Sequence, residues 1–256
     1  MPIVKTEAII LNSSDYREST LLLTLLTPEH GRVRLIARGA KRATSRNRGR
    51  VEPLSRVEAQ YSIRKPDELG TLRESRVLDS ADCVRGDLLK YAAAQLAAEF
   101  ADRAVHGGEE CRGVYQALAS FLSALKDAAD PAARLVQGLA ELLAELGFEP
   151  VVEHCVRCGE ARPAESFSVA LGGVVCRECS VGAPGRRPFN PGLQRILSLM
   201  LRRDPALARV KMSSAQTRQL LLTLLDLAQH HLDLQLRSRD FLWSMLNAGY
   251  GASERI

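Results

Sequence analysis

Apolar and polar residues alternate over short segments in the first 80 residues of this 256-residue chain. In residues 32–38, a period of two places the arginines on one face and Val33, Leu35 and Ala37 on the other. Residues 28–31 have the composition of a turn. Strands are predicted at residues 3–11, 20–27, 32–38, 51–63 and 71–78. Five short strands without a helical period indicate a small β-barrel.

The apolar spacing becomes helical from residue 86 onward. Asp130-Pro131 and Asn190-Pro191 each combine an N-cap residue with proline at the first helical position. Ser213 and Gln216 have the spacing of a capping box ahead of the last long helix. Helices are predicted at residues 88–105, 131–146 and 193–202 and from Ser213 onward. We expect these helices to pack into one bundle.

Four cysteines are spaced C-x2-C-x17-C-x2-C between these helices, and they are Cys155, Cys158, Cys176 and Cys179. Two residues between cysteines allow both sulfurs of a tight turn to face one point. Two such turns supply the tetrahedral thiolate set that Zn²⁺ prefers. Two disulfides, four unrelated buried thiols and an iron–sulfur cluster are the alternatives. The spacing predicts a four-cysteine zinc module at about residues 150–185.

Four thiolate ligands would close the coordination shell, so the predicted zinc is structural rather than catalytic. Glu153 and His154 are the neighbouring side chains that could compete as ligands. The two other cysteines, Cys83 and Cys111, have no partner motif, and we expect them in the core.

The net charge of +5 is concentrated in the first third of the chain. Residues 1–80 hold 15 Lys/Arg and 10 Asp/Glu, whereas the remainder holds 20 of each. This asymmetry favours a polyanion-binding domain at residues 1–80 joined to a neutral helical domain at residues 81–256. No apolar run approaches the ~18–20 residues of a membrane span. The first residues are unlike a signal peptide. We therefore expect a cytoplasmic protein with reduced thiols and no membrane contact.

A basic stretch without any acidic residue covers residues 32–50. Its cations are Arg32, Arg34, Arg38, Lys41, Arg42, Arg46, Arg48 and Arg50. Its second half is rich in Gly, Ser and Asn, which predicts a flexible loop. Guanidinium groups on a strand and a mobile loop suit a phosphate backbone, although most charge runs are only solvated faces. Tyr16 and Tyr61 are candidates for stacking on unpaired bases, and at least one of them is expected in the barrel core.

Motifs of common catalytic sites are missing from the sequence. It contains no phosphate-cradling glycine motif, no G-x-S-x-G elbow and no H-E-x-x-H. The acidic residues are scattered, with no close pair of the kind that binds two metal ions. We therefore predict that the protein catalyses no reaction.

Five segments, in this order, resemble the RecO family of bacterial recombination mediators. They are Tyr16-Arg-Glu-Ser-Thr, Thr27-Pro-Glu-His-Gly31-Arg, Ala37-Arg-Gly-Ala-Lys-Arg42, Leu69-Gly-Thr-Leu72-Arg-Glu74 and Ser238-Arg-Asp-Phe-Leu242. The resemblance extends over nearly the whole chain. It implies an α+β protein, with an N-terminal five-stranded OB-fold barrel followed by an α-helical domain carrying the inserted zinc module.

The resemblance also implies a function. Proteins of this family bind single- and double-stranded DNA and anneal complementary strands. They engage the C-terminal tail of single-strand-binding protein and, with RecR, help to load the recombinase RecA onto gapped DNA. The basic positions between Arg32 and Arg50 match the part of the OB domain that the family uses on DNA. Some members lack one or more of the cysteines, so zinc is not essential to the family activity. Such a mediator would lie in the bacterial cytoplasm, associated with the nucleoid.

Two other classes of function remain open from the residues alone. A zinc-ribbon adaptor acting on proteins would leave the basic loop incidental. A zinc-dependent nucleic-acid enzyme would need an open metal position, which four cysteine ligands do not offer.

Overall fold

The computed structural model describes residues 3–42, 45, 47, 49–65 and 68–253. The strands are β1 (Ile3–Arg17), β2 (Thr20–Thr27), β3 (Gly31–Ala37), β4 (Arg56–Ser62), β5 (Gly70–Asp79), β6 (Ala164–Ser168), β7 (Gly173–Cys176) and β8 (Arg186–Pro188). The helices are α1 (Asp82–Arg85), α2 (Leu88–Ala104), α3 (Arg112–Lys126), α4 (Pro131–Glu145), α5 (Arg177–Ser180), α6 (Pro191–Leu201), α7 (Ser214–Leu232) and α8 (Ser238–Ser253), with a 3₁₀ helix at Pro205–Arg209. None of the helices in the described residues combines the length and apolar character needed to cross a bilayer.

The first five strands form a closed barrel in the order β1-β2-β3-β5-β4. β1 closes the barrel by pairing antiparallel with β4, and β3 pairs parallel with β5 where Leu35 faces Gly70. Alternate side chains of each strand fill the interior, where Ile10, Leu23 and Tyr61 belong to one core cluster. This architecture is the OB-fold barrel that the resemblance implied, so the predicted fold class is confirmed.

Two strands differ in length from their predicted ranges. β1 continues to Arg17, because the polar residues from Asn12 onward pair with β2 through their backbones rather than through buried side chains. β4 begins only at Arg56. Pro53 has no N–H to donate, and Leu54 adopts a φ of +69°, which no strand residue has.

The chain divides into two compact units. The first contains the barrel and the helices up to Pro131, together with Leu236–Ala248. The second contains Ala132–Gln235 and the described residues after Ala248. The change from strand to helix near residue 80 is observed, but the domain boundary placed there remains a prediction. The prediction that all helices pack into one bundle is wrong, because some helices belong to the first unit and others to the second. A helical period reports which face is apolar but not which element covers it.

Gly31 fixes the contact between the β2–β3 turn and the chain after α2, inside the first unit. Its φ is +62°, and a Cβ there would lie 2.3 Å from the His106 carbonyl oxygen and 2.8 Å from that of Glu109. Two backbone hydrogen bonds flank the glycine: Arg32 donates to His106 at 3.1 Å, and Gly108 donates to His30 at 2.9 Å. Only glycine combines this φ with such a close approach.

The helix-start signals read from the sequence are present. The Asn190 side chain accepts from Leu193 N at 3.0 Å, and Ser213 and Gln216 form the reciprocal bonds of a capping box. The sequence predicted neither α3 nor α8. The first turn of α8 is capped by a distant residue, because the Glu99 carboxylate on α2 accepts from Arg237 N, Ser238 N and Ser238 Oγ at 2.6–2.9 Å.

Candidate nucleic-acid interface and cysteine cluster

β3 separates its apolar and basic residues as predicted. Val33, Leu35 and Ala37 are buried, whereas Arg34 and Arg38 are exposed. Arg32 is different, because its Nη1 donates to the Asp102 carbonyl oxygen at 2.8 Å and lies 3.6 Å from Asp102 Oδ1. Burial raises the pKa of Asp102, although Arg32 opposes that rise. The guanidinium of Arg32 is therefore engaged with α2.

The turn after β3 is tied to the β1–β2 hairpin. Gly39 adopts a φ of +67°, and its carbonyl accepts from Arg42 N at 3.0 Å. Lys41 N donates to the Ser19 carbonyl at 3.3 Å, and its Nζ lies 2.6 Å from Asp15 Oδ2. These bonds place the basic turn beside the tip of the hairpin.

The turn and the hairpin enclose a groove of about 590 Å³, called here the Tyr16 groove. It is lined by Tyr16, Arg17, Ser19, Thr20, Ile36, Arg38, Gly39 and Arg42. The Arg17 guanidinium carbon lies 5.5 Å from the centroid of the Tyr16 ring, a cation–π geometry. Arg17 lies outside the acid-free stretch, so charge patterning alone did not select it, although it directly follows the tyrosine proposed for stacking. Arg38 and Arg42 were predicted, and the fold brings them together here.

The loop after this turn is anchored at one point. Asn47 is buried, and its Oδ1 accepts from both the N and the Oγ of Ser75 on β5 at 3.0 Å. Arg50 is exposed, and its Nη1 is 3.5 Å from the Ser75 carbonyl oxygen. The predicted flexibility is therefore interrupted at Asn47, because burial and two hydrogen bonds oppose movement there. Arg46 and Arg48, also predicted to bind DNA, lie outside the described residues.

The two tyrosines considered for base stacking occupy opposite environments. Tyr61 is 1% exposed in the barrel core, where burial and then the charge of Glu29 raise its pKa to about 12. Tyr16 is 51% exposed. One tyrosine is thus a core residue, as expected, and only Tyr16 of the pair is accessible to a base.

The four predicted cysteines converge in the second unit. Their sulfur atoms all lie within 4.8 Å of one another, and the Sγ atoms of Cys158 and Cys176 are 3.9 Å apart. A tetrahedral zinc with bonds of about 2.3 Å would separate its sulfurs by about 3.8 Å. Gly159 turns the chain after the first pair with a φ of +77°, and its N–H donates to the Cys155 carbonyl at 2.8 Å. The donor set and its spacing therefore fit one metal ion.

Backbone donors and a neighbouring arginine hold the cluster together. Burial opposes ionisation of Cys155, but N–H groups of Cys176, Cys158 and Arg157 outweigh it and lower the pKa of that thiol. The pKa of Cys179 is raised, first by its interaction with Cys176. Arg157 Nη1 donates to the Cys179 carbonyl at 2.8 Å, which links the two cysteine turns. Ionisation of one thiol thus opposes ionisation of the next. A bound metal ion would remove this opposition, because it binds all four cysteines as thiolates.

The competing ligand Glu153 is engaged elsewhere. Its carboxylate accepts from Ser198 Oγ at 2.8 Å and from Arg202 Nη2 at 2.5 Å. Hydrogen bonds from Ser198 and Arg202 lower the pKa of Glu153, with burial opposing them. Among the described residues, only these four cysteines form a cluster of His, Cys, Asp or Glu side chains whose ligand atoms are close enough to hold a metal ion.

The remaining two cysteines are not core residues in the predicted sense. Cys83 is exposed, because α1 buries its neighbour Val84 instead. Cys111 is partly buried, and its Sγ donates to the Thr27 carbonyl at 3.2 Å. Burial, followed by nearby carboxylates, raises the pKa of Cys111 to about 11.

Comparisons with known proteins cover almost the whole chain. Residues 1–81 match the family model "Recombination protein O N terminal", and residues 85–240 match "Recombination protein O C terminal". The protein named DNA repair protein RecO from Desulforudis audaxviator is 34% identical over 247 residues, covering 94% of this chain and 96% of the relative. Proteins of the same name are 30% identical in Bacillus subtilis, with 95% of each chain covered, and 31% in Pelotomaculum thermopropionicum, with 99% and 100% covered. The chain therefore belongs to the RecO family of DNA repair proteins.

Proposed function

We propose that this protein is a non-enzymatic recombination mediator that binds single- and double-stranded DNA through the basic side of its barrel. The observation that carries the proposal is the convergence of Arg17, Arg38 and Arg42 on one groove, with Lys41 beside it. Within the described residues, Arg38 and Arg42 make no salt bridge, so their charge is available to phosphates. Guanidinium groups bind phosphate oxygens through charge-assisted hydrogen bonds.

The eight basic residues predicted from the sequence contribute unequally to this proposal. Arg34, Arg38, Lys41, Arg42 and Arg50 are exposed, and we assign the DNA contacts to them, with Lys41 sharing its charge between phosphate and Asp15. Arg32 donates a hydrogen bond to the Asp102 carbonyl, so we assign to it first the contact between β3 and α2 and only secondarily a contact with phosphate. Arg46 and Arg48 remain assigned from the sequence alone.

Strand annealing follows from the same surface. A basic surface that screens two phosphate backbones lowers their mutual repulsion, and base pairing then supplies the favourable free energy. No residue needs to change protonation or form a covalent bond.

We further propose that this chain binds the partners of the family, namely RecR and the C-terminal tail of single-strand-binding protein. With them it would help to load recombinase onto gapped DNA. Its place of action would be the bacterial cytoplasm, at the nucleoid.

Charge reversal tests the DNA contacts. We expect Arg38→Glu/Lys41→Glu/Arg42→Glu to abolish binding to gapped DNA in a gel shift. Steep salt dependence should characterise the wild type, since each phosphate contact contributes about 0.9 to the slope of log affinity against log salt. Arg195→Glu/Arg209→Glu/Lys211→Glu is the matched control, because these exposed residues of the second unit give the same charge change.

The control variant distinguishes the effect of losing the basic turn from the effect of lowering the net charge of the protein. The control triple variant should keep most of the affinity. The Arg38→Glu/Lys41→Glu/Arg42→Glu variant could instead keep its DNA affinity and salt slope at an unchanged melting temperature. That result would show that the basic turn does not bind DNA. A protein-binding adaptor would show that result. Annealing of complementary strands coated with single-strand-binding protein tests mediation itself, and an annealing rate unaffected by the protein would contradict it.

We also propose that Cys155, Cys158, Cys176 and Cys179 hold one structural Zn²⁺. Bound zinc would cross-link the two cysteine turns, and four thiolates would leave it no open position for substrate. Cys155→Ser/Cys158→Ser should lose the metal in elemental analysis and lower the melting temperature, while DNA affinity is kept. Cys83→Ser is the control, since that exposed cysteine lies outside the cluster. Loss of DNA binding at an unchanged melting temperature would contradict this separation of roles.

A further inference from the structure

We infer, resting on the DNA binding proposed above, that the Tyr16 groove is a subsite for one unpaired nucleotide. The base would stack on the ring of Tyr16, and the adjoining phosphate would lie between Arg38 and Arg42. The subsite therefore distinguishes single strands from duplex, which a surface of phosphate contacts alone does not do.

The backbone of β1 presents Tyr16 outward. The pairing of β1 with β2 shifts register between Asp15, which faces Leu21, and Arg17, which faces Thr20. Tyr16 lies at this irregularity without a Cα partner on β2, and such a bulge re-aims a side chain. Its side chain is the most exposed aromatic of the described residues. An aromatic ring at a sheet irregularity is thus offered to solvent rather than packed into the barrel.

The groove beside the ring is basic and has the size of a ligand site. Its volume of about 590 Å³ lies within the roughly 300–1,000 Å³ typical of small-molecule pockets. Arg17 lies over the ring, and Arg38 and Arg42 line the same groove, whose described lining contains no acidic residue. Two acidic residues adjoin the lining: Asp15, whose Oδ2 lies 2.6 Å from Lys41 Nζ, and the exposed Glu18, which stands in the chain between Arg17 and Ser19. An aromatic ring among three guanidinium groups matches the combination of stacking and charge used on single strands.

Stacking on Tyr16 requires an unpaired base. Bases inside a duplex are covered on both faces by their neighbours, so the ring can reach only a base outside the stack. The phosphate contacts of Arg38 and Arg42 are available to either form of DNA. Tyr16 should therefore contribute to single-strand affinity and little to duplex affinity, without regard to base identity.

This arrangement is consistent with annealing. A base stacked by its face keeps its Watson–Crick edge free to meet a complementary strand. Once a duplex forms, the base is taken up by its neighbours in the helix and the contact with Tyr16 is lost. The subsite would thus bind the substrate of annealing more tightly than the product and favour release.

The test compares Tyr16→Ala and Tyr16→Phe with the wild type. We expect Tyr16→Ala to weaken binding to an oligothymidylate by roughly fivefold to a hundredfold, the range for loss of one stacked base. Tyr16→Phe keeps the ring and should bind nearly as the wild type does. Affinity for a duplex of equal length should be unchanged in both variants, as should the salt slope, because no phosphate contact is removed. Fluorescence anisotropy measures the single-strand affinity, the duplex affinity and the salt slope of each protein.

A second readout does not depend on affinity. A single strand containing 2-aminopurine at each position in turn should show a change in probe fluorescence when bound at saturation by the wild type and Tyr16→Phe. That change should be absent with Tyr16→Ala. Thermal melting of each variant confirms that the barrel is folded.

The outcomes separate this inference from the proposed function. If the Arg38/Lys41/Arg42 reversal abolishes DNA binding while Tyr16→Ala leaves single-strand affinity intact, the stacking inference is overturned and the proposed function stands. An equal loss of single-strand and duplex affinity in Tyr16→Ala would also overturn it, because the groove would then be a phosphate site. If the wild type binds neither form of DNA, the proposed function fails, and the subsite fails with it.

Discussion

Gly31→Ala tests how closely the barrel approaches the chain after α2. The substitution adds one methyl group at a φ of +62°, 2.3 Å from the His106 carbonyl oxygen. Real Cβ atoms essentially never come within 3.0 Å of such an atom, so one of the two backbones must move. Gly49→Ala is the matched control, because Gly49 has a φ of +67° in the same unit with nothing within 4 Å of its added Cβ.

The expected loss of stability has two parts. Placing alanine in the left-handed region costs about 1 kcal/mol at either position. At Gly31, movement of the backbone also weakens the Arg32–His106 and Gly108–His30 hydrogen bonds, each contributing about 1 kcal/mol. The free energy of unfolding should therefore fall by about 3 kcal/mol for Gly31→Ala and about 1 kcal/mol for Gly49→Ala.

Urea unfolding followed by tryptophan fluorescence measures this difference. The single tryptophan, Trp243, belongs to the same compact unit as Gly31, so its signal reports unfolding of that unit. Linear extrapolation of each transition gives the two losses of free energy. Equal losses at the two glycines would show that the close approach to His106 contributes nothing and that only the backbone conformation matters.

Two further substitutions test polar groups in the first unit, the buried hydroxyl of Tyr61 and the partly buried carboxylate of Glu99. Tyr61→Phe should leave the free energy of unfolding unchanged or raise it by up to about 1 kcal/mol, because the buried hydroxyl has no hydrogen-bond partner among the described residues; a clear loss of stability in urea would contradict this. Glu99→Gln should cost about 2 kcal/mol at pH 7, because a charged acceptor caps α8. Burial opposes ionisation of Glu99, but the bonds from Ser238 and Arg237 outweigh it and lower its pKa, so this stabilisation is full above the unfolded pKa of about 4.3 and is lost as pH falls through the folded pKa. A wild-type advantage over Glu99→Gln that grew at low pH would refute the assignment.

The candidate sites differ in how far the sequence could predict them. The grouping of the four cysteines was predicted, since a two-residue spacing lets both sulfurs of each turn face one point, whereas the metal they hold stays a prediction. The basic groove was predicted in part. Arg38 and Arg42 were selected from an acid-free stretch, but Arg17 lies on another strand and enters the groove only through the pairing of β1 with β2. The engagement of Arg32 with Asp102 likewise joins residues that are 70 positions apart.

The sequence by itself determined the elements whose causes are local. Alternation in β3, the proline start of α6 and the capping box of α7 depend on residues a few positions apart, so they could be read directly. Tertiary structure decided what depends on distant contacts. It capped α8 with Glu99 and brought Arg17 beside the turn after β3. It also buried Tyr61 while leaving Tyr16 exposed, because burial is a property of the closed barrel and not of the residue.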